Sequence, residues 1–274
     1  MHGNTAGVSV LADWFFFSQT WQSLARDFGG TGGLGDHERP SDGQEVGTVA
    51  RARQERAEIT RQAILDGAAA AFDATGFGGT SLSDVAQQAG VTKGALYFHF
   101  ASKEALARAL VDEQFQSTDL IAGELMPGVQ TVIDMGHRLA HGLRSDVRLR
   151  AGIRLVVEFG SFVDPDPAPY NSWISIVRDC LAPAQGRGDL FPEINVSDLA
   201  TFVCGSFTGL QLTSYVRTGR DDLHERVTDM FRYLLPGIVP PDRRAEFQPA
   251  GSAKCRAELG LPALDEENPV ERAE

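Results

Sequence analysis

Between residues 80 and 104 the apolar positions recur at helical spacing in two short bursts divided by a turn. Leu82, Val85 and Ala86 place one face inward, Ser81 stands at an N-cap, and Asp84 three residues later completes a capping-box pattern. Gly90 follows Ala89 where a left-handed residue must end the helix, and glycine adopts that conformation most cheaply. Val91 fills the angle, Thr92 caps a second helix from Lys93 to about Phe98, and Ser102 caps a third running through Leu106 and Leu110. Leu96, Phe98 and Phe100 are expected to face the core. Helix, glycine turn and short helix form the helix-turn-helix pattern, whose second helix enters the DNA major groove. Its expected exposed start carries a hydroxyl, a cation and two small residues, Thr92 to Ala95, with the polar tips of Tyr97 and His99 behind them.

The same periodicity extends over the rest of the chain. Ile59, Ala63, Ile64, Ala68 and Phe72 form the stripe of a first helix over 54–75, which Gly76 ends. A long helix from Ser102 to about Leu125 is broken by Pro127-Gly128. Further helices are predicted at about 129–144, 147–162, 170–182, 196–217 and 221–235. No segment alternates as a strand, so the fold class is all-α. A three-helix DNA-binding domain is assigned to 49–105, a helical ligand-binding and dimerisation domain to 106–238, and a flexible tail to 239–274. The stretch 196–217 is apolar or small on nearly every face, from Leu199 and Phe202 to Leu212 and Tyr215. It therefore needs cover on two sides. One cover is the core; the other suggests a subunit interface, which 221–235 would join. A homodimer would offer two recognition helices to a palindromic double-stranded operator.

Charge complicates this picture before it supports it. The 274 residues hold 25 Lys plus Arg against 37 Asp plus Glu, a net −12, whereas DNA binders usually carry basic surface. Residues 49–116 alone contain seven Lys/Arg and eight Asp/Glu, so the acidity lies elsewhere. Only three lysines occur, and Lys93 and Lys103 are two of them, in a chain that otherwise uses Arg. Mean hydropathy of −0.17 and the lack of any apolar run near ~20 residues speak against a membrane helix. Cys180, Cys204 and Cys255 stand far apart in no metal spacing and read as reduced, mostly buried thiols in a cytoplasm.

The run from Arg56 to Phe115 resembles the DNA-binding domain of the TetR family of bacterial repressors. VTKGALYFHFASKEAL is similar to the form found in the gamma-butyrolactone autoregulator receptors of Streptomyces. The resemblance implies phosphate contacts from Thr92, Lys93, Tyr97, His99 and Lys103, and base-edge proximity for Lys93, Gly94 and Ala95. Thr80 and Ser81 are counted with the DNA-facing set. It also implies a ligand cavity walled by Trp173, after the proline-rich loop, with Gln114 and Thr208 as polar contacts to a lactone or hydroxyl. The function expected is a repressor released by a small hydrophobic effector such as a gamma-butyrolactone and controlling secondary metabolism. The alternative is a pseudo-receptor or drug-sensing regulator that answers an antibiotic or a biosynthetic intermediate.

Other chemistry is thin. Gly30 to Gly35 matches GxGxxG, but no strand precedes it. His137 and His141 lie four apart on a helix without an acidic ligand at a metal spacing, so no metal and no cofactor are assigned. No nucleophile elbow, P-loop or paired-carboxylate pattern points to an enzyme. Residues 1–48 differ in character from the rest and are expected to be translated leader. Gln44-Glu45-Val46 can be encoded with a ribosome-recruiting AGGAGGT ahead of a GTG start at Val49. A flexible arm is the competing reading.

Overall fold

Caps and apolar spacing settle most helix ends, and long-range packing settles which helices meet. The computed structural model describes residues 42–116, 126–159 and 167–263, with 42–50, 114–116 and 159 described by backbone alone. Residues 1–41, most of the expected leader, lie outside the described residues. Two compact units divide at Ala52, and Arg53–Glu274 is the unit described below. The described residues hold ten α-helices and no strand. They are α1 (Asp42–Gly79), α2 (Leu82–Gln88), α3 (Lys93–His99), α4 (Lys103–Gln116) and α5 (Val129–Ser145). These are followed by α6 (Val147–Phe159), α7 (Ala168–Gly186), α8 (Val196–Thr218), α9 (Leu223–Ile238) and α10 (Ala253–Glu258). No helix of the described residues is long and apolar enough to cross a membrane.

Two apolar cores result. The first joins Ile64, Leu65, Phe72 and Phe77 of α1 to Val85, Leu96, Phe100, Leu106 and Leu110 of α2–α4 and their flanks. The second joins α5, α7, α8 and α9 through Ile133, Leu143, Leu181, Val203, Phe207, Val227 and Phe231. Helix α6 belongs to both: Ala151 and Leu155 sit in the first core, while Leu149 and Ile153 sit in the second. Successive residues of a helix turn by about 100°, so these two i,i+4 pairs lie on opposite faces.

Three expectations are corrected here. Helix α1 begins at Asp42, well before the 54 read from the stripe. Ile59 is 68% exposed because that part of α1 precedes the core. Phe98 is 78% exposed, since α3 is a single short helix whose inward face is already filled by Leu96 and Phe100, four residues apart. The expected tail is ordered from Val239 to Ala263. Val239 and Cys255 are fully buried, Gln248 and Gln130 exchange hydrogen bonds, and Ser252 donates from its N–H and Oγ to Asp134. Charge and proline content concealed that docking, because its partners lie on α5, over a hundred residues away in the chain.

Candidate DNA-binding helix and effector region

The helix-turn-helix is built from local bonds. Ser81 Oγ accepts from Asp84 N at 3.2 Å, and Asp84 Oδ2 accepts from Ser81 N at 2.8 Å, closing the capping box. Ser81 Oγ also donates to Asp84 Oδ2 at 2.7 Å, and this bond, followed by that from Ser81 N, holds the Asp84 carboxyl below its ordinary range. Gly90 turns the chain at φ 65, Val91 N donates back to Ala86 O, and Thr92 Oγ1 accepts from Ala95 N at 3.2 Å to start α3. Ser102 Oγ accepts from Ala105 N at the head of α4.

The tip of α3 presents Thr92, Lys93 and Gly94 exposed, with Ala95 half-buried behind them. A Cβ built on Gly94 would meet nothing nearer than 3.9 Å, so its backbone is open to approach. Tyr97 is exposed and His99 half-buried, and the His99 ring stands edge-on to Phe98 at 5.2 Å. Phe98, which the sequence reading turned inward, thus joins the outward face. A helical wheel over 93–100 would have found it, since Leu96 and Phe98 are separated by about 200°. Ser81 is exposed beside this face.

Two expected DNA contacts bond to the protein's own backbone, Thr80 buried and Lys103 half-buried. Thr80 is 3% exposed, and its Oγ1 lies 2.7 Å from Gly76 O, 3.1 Å from Ala71 O and 2.8 Å from Thr75 Oγ1. A hydroxyl so enclosed cannot reach a phosphate. Lys103 donates from Nζ to Phe77 O at 2.7 Å and Thr80 O at 3.0 Å, with the Phe77 ring centroid at 4.3 Å. Its charge therefore closes the carbonyl end of α1, and two of its three donors are taken by the protein itself.

In the effector region the three expected residues lie on three different helices, α4, α7 and α8. Trp173 on α7 is half-buried against the second core and meets Tyr170 edge-on at 5.4 Å. Thr208 lies on α8, which packs along α7, and its hydroxyl donates to Cys204 O at 2.9 Å. The side chain of Gln114 lies outside the described residues. The outer face of α8 carries exposed Phe202, Leu212, Tyr215 and Val216, while Leu199, Val203, Phe207 and Gln211 fill the inner one. Asn195 caps this helix, and Gly219 ends it.

His137, weighed in the sequence only with His141, pairs in the structure with His224 of α9. His137 is 1% exposed, its Nε2 lies 2.9 Å from Pro249 O, and its Nδ1 lies 3.2 Å from His224 Nδ1. A carbonyl only accepts, so His137 carries its proton on Nε2, and His224 must donate from Nδ1. His224 Nε2 is then a buried acceptor with no partner among the described residues. Among those residues, no group of three or more His, Cys, Asp or Glu is placed to hold a metal.

Comparison with known proteins agrees with the geometry. The model for "Bacterial regulatory proteins, tetR family" matches residues 64–110, which span the core of the helix-turn-helix. The A-factor receptor protein of Streptomyces griseus is 41% identical over 216 residues, covering 79% of this chain and 77% of that protein. A solved gamma-butyrolactone receptor (ArpA-like protein) superposes with a TM-score of 0.60 at 33% identity, over 74% of this chain and 98% of that one. CprB of Streptomyces coelicolor, solved in complex with its operator sequence, superposes with a TM-score of 0.56 at 34% identity. The match covers 70% of this chain and 94% of that one.

Proposed function

Since the chain belongs to the tetR family of bacterial regulatory proteins, we propose that it is a ligand-responsive transcriptional repressor which binds operator DNA through α3. The observation that carries this reading is the exposed Thr92-Lys93-Gly94 tip on a helix fixed by the Ser81–Asp84 box and the Gly90 turn. Lys93 and Tyr97, with Ser81 and His99, contact the DNA; Thr92 adds its hydroxyl to the same edge. The exposed apolar face of α8, with Tyr233 of α9, joins two copies into a dimer, which sets two α3 helices on a palindrome. Two copies also collect enough cations for a near-neutral domain to bind phosphate.

The effector is a small hydrophobic molecule of the gamma-butyrolactone class, bound near Trp173 with Thr208 and Gln114 as polar contacts. Support comes from the likeness to an A-factor receptor and to a gamma-butyrolactone receptor structure. Binding favours a form in which the two α3 helices no longer match the operator, and affinity falls by population shift. The protein is a regulator and not an enzyme, acts in the cytoplasm on the nucleoid, and controls genes of secondary metabolism.

A gel shift of the full chain on DNA upstream of its own gene, with and without a synthetic gamma-butyrolactone, tests the reading. A shift abolished by the lactone is the expected result. A shift indifferent to it refutes the lactone and points to an antibiotic or biosynthetic intermediate. Lys93→Ala should weaken the shift by about 1–3 kcal/mol; an unchanged shift would remove α3 from the interface.

A further inference from the structure

Helix α1 kinks at Gly76, and the corner that runs from this kink to α2, residues 76–80, immediately precedes the helix-turn-helix and is gripped from two sides. Lys103 of α4 holds its carbonyls, as described above. From the other side come two residues of α6. Glu158 Oε2 accepts from Phe77 N at 2.8 Å, Arg154 Nε donates to Glu158 Oε1 at 2.6 Å, and Arg154 Nη1 donates to Asp73 O at 2.6 Å. Gly76 makes the approach possible: it sits at φ 72, and a Cβ there would lie 2.7 Å from both Arg154 Nη2 and Glu158 Oε2.

The rest of the seam between α6 and the DNA-binding domain combines the apolar contact of Ala151 and Leu155 with polar contacts farther from the corner, Arg148 to Asp66 and Gln62 and Arg150 to Asp73. Apolar contact is non-directional and survives a small slide of one helix on another. The hydrogen bonds do not, because they weaken steeply once distance and angle depart from their narrow range. Glu158 also lies near the end of α6, on the chain that runs on to the helix of Trp173. Among the polar contacts described across this seam, that of Glu158 with Phe77 is made to the corner itself, so a small displacement of α6 would switch its grip there.

We propose that the Arg154–Glu158 pair is a latch, closed in the DNA-competent form, that sets the α1–α2 corner and opens when the effector binds. Glu158 is a positioning residue, with no contact to DNA or effector. The proposal rests on the effector-responsive reading given above.

The test compares Glu158→Ala and Glu158→Gln with the unaltered full chain. Operator affinity is read by gel shift and lactone affinity by titration calorimetry. Glu158→Ala should bind the operator about tenfold more weakly, the effect of losing one charge-assisted hydrogen bond of ordinary strength. By reciprocity the same change should tighten the lactone by a similar factor, and the lactone's further effect on operator binding should shrink. Glu158→Gln keeps an acceptor for Phe77 N but loses the ion pair, and should fall between; it carries the test if the alanine variant does not fold. Operator and lactone affinities both at the unaltered level would overturn the latch. So would weaker operator binding without tighter lactone binding, which would make Glu158 merely structural. If the unaltered protein ignores the lactone, the assigned effector class fails. The latch is then judged by operator affinity alone, with Arg154→Met expected to reproduce Glu158→Ala; unaltered affinity in both would overturn it.

Discussion

Acid should loosen this protein through the His137–His224 pair before it reaches the carboxylates that their hydrogen bonds hold low. Burial is the main cause of the lowered basicity of both rings. For His224, whose value falls from 6.5 to about 4, the neighbouring His137, Arg144, His141 and Arg256 add to it. For His137 the Pro249 carbonyl and Asp134 oppose the fall without reversing it. A lowered value means the unfolded chain takes up protons first, so stability is complete above pH 6.5 and declines as pH falls from there toward about 4. For His224 the full shift corresponds to about 3 kcal/mol, and partial exposure of the ring reduces this to about 1–2 kcal/mol. The carboxyl groups of Asp84, Glu258 and Asp222 are held low, Asp222 at about 2, so they lose their contribution only under stronger acid. Urea unfolding followed by far-UV circular dichroism, from about pH 7.5 to about pH 4.5, reads the slope directly. His224→Asn keeps a donor for His137 Nδ1 but cannot titrate. It should be within about 1 kcal/mol of the unaltered protein at neutral pH and lose most of the slope below it. Equal slopes in the two proteins would refute the reasoning.

Three further outcomes are expected. Lys103→Met should destabilise the fold by about 1.5–3 kcal/mol, because Phe77 O and Thr80 O lose a charged donor, whereas Lys93→Met should leave urea stability within about 0.5 kcal/mol. The same Lys93 variant should lower the salt dependence of operator binding by about one phosphate contact. Gly76→Ala should cost about 1–3 kcal/mol from its positive φ alone, with a further loss as Arg154 and Glu158 are pushed off the corner; thermal unfolding measures it. Burial pushes the thiols of Cys204 and Cys255 up to about 11 and raises Cys180 as well. Native protein should therefore react slowly with a thiol reagent that labels all three cysteines at once in urea; fast labelling of Cys255 would contradict the docked C-terminal segment.

By itself the sequence determined whatever is made of neighbours in the chain. The Ser81–Asp84 box, the Thr92 and Ser102 caps and the left-handed Gly90 involve bonds spanning at most a few residues, so residue type and spacing suffice to specify them. The apolar period likewise placed α5 to α9 to within a few residues, and the motif near α3 was enough to indicate the family. Only the tertiary structure decided matters that depend on which distant surface a side chain meets. Thr80 looked like a DNA contact and is buried in the α1–α2 corner, whose carbonyls Lys103 also bonds. Phe98 looked like core and faces outward; residues 239–263 looked loose and dock on α5 through Asp134 and His137. Arg154 and Glu158 carry no signal in sequence beyond an ordinary i,i+4 pair on a helix. Their partner, the Phe77 amide, lies 81 residues back in the chain. Such contacts exist because the chain collapses onto two cores that share α6, and no local pattern encodes that meeting.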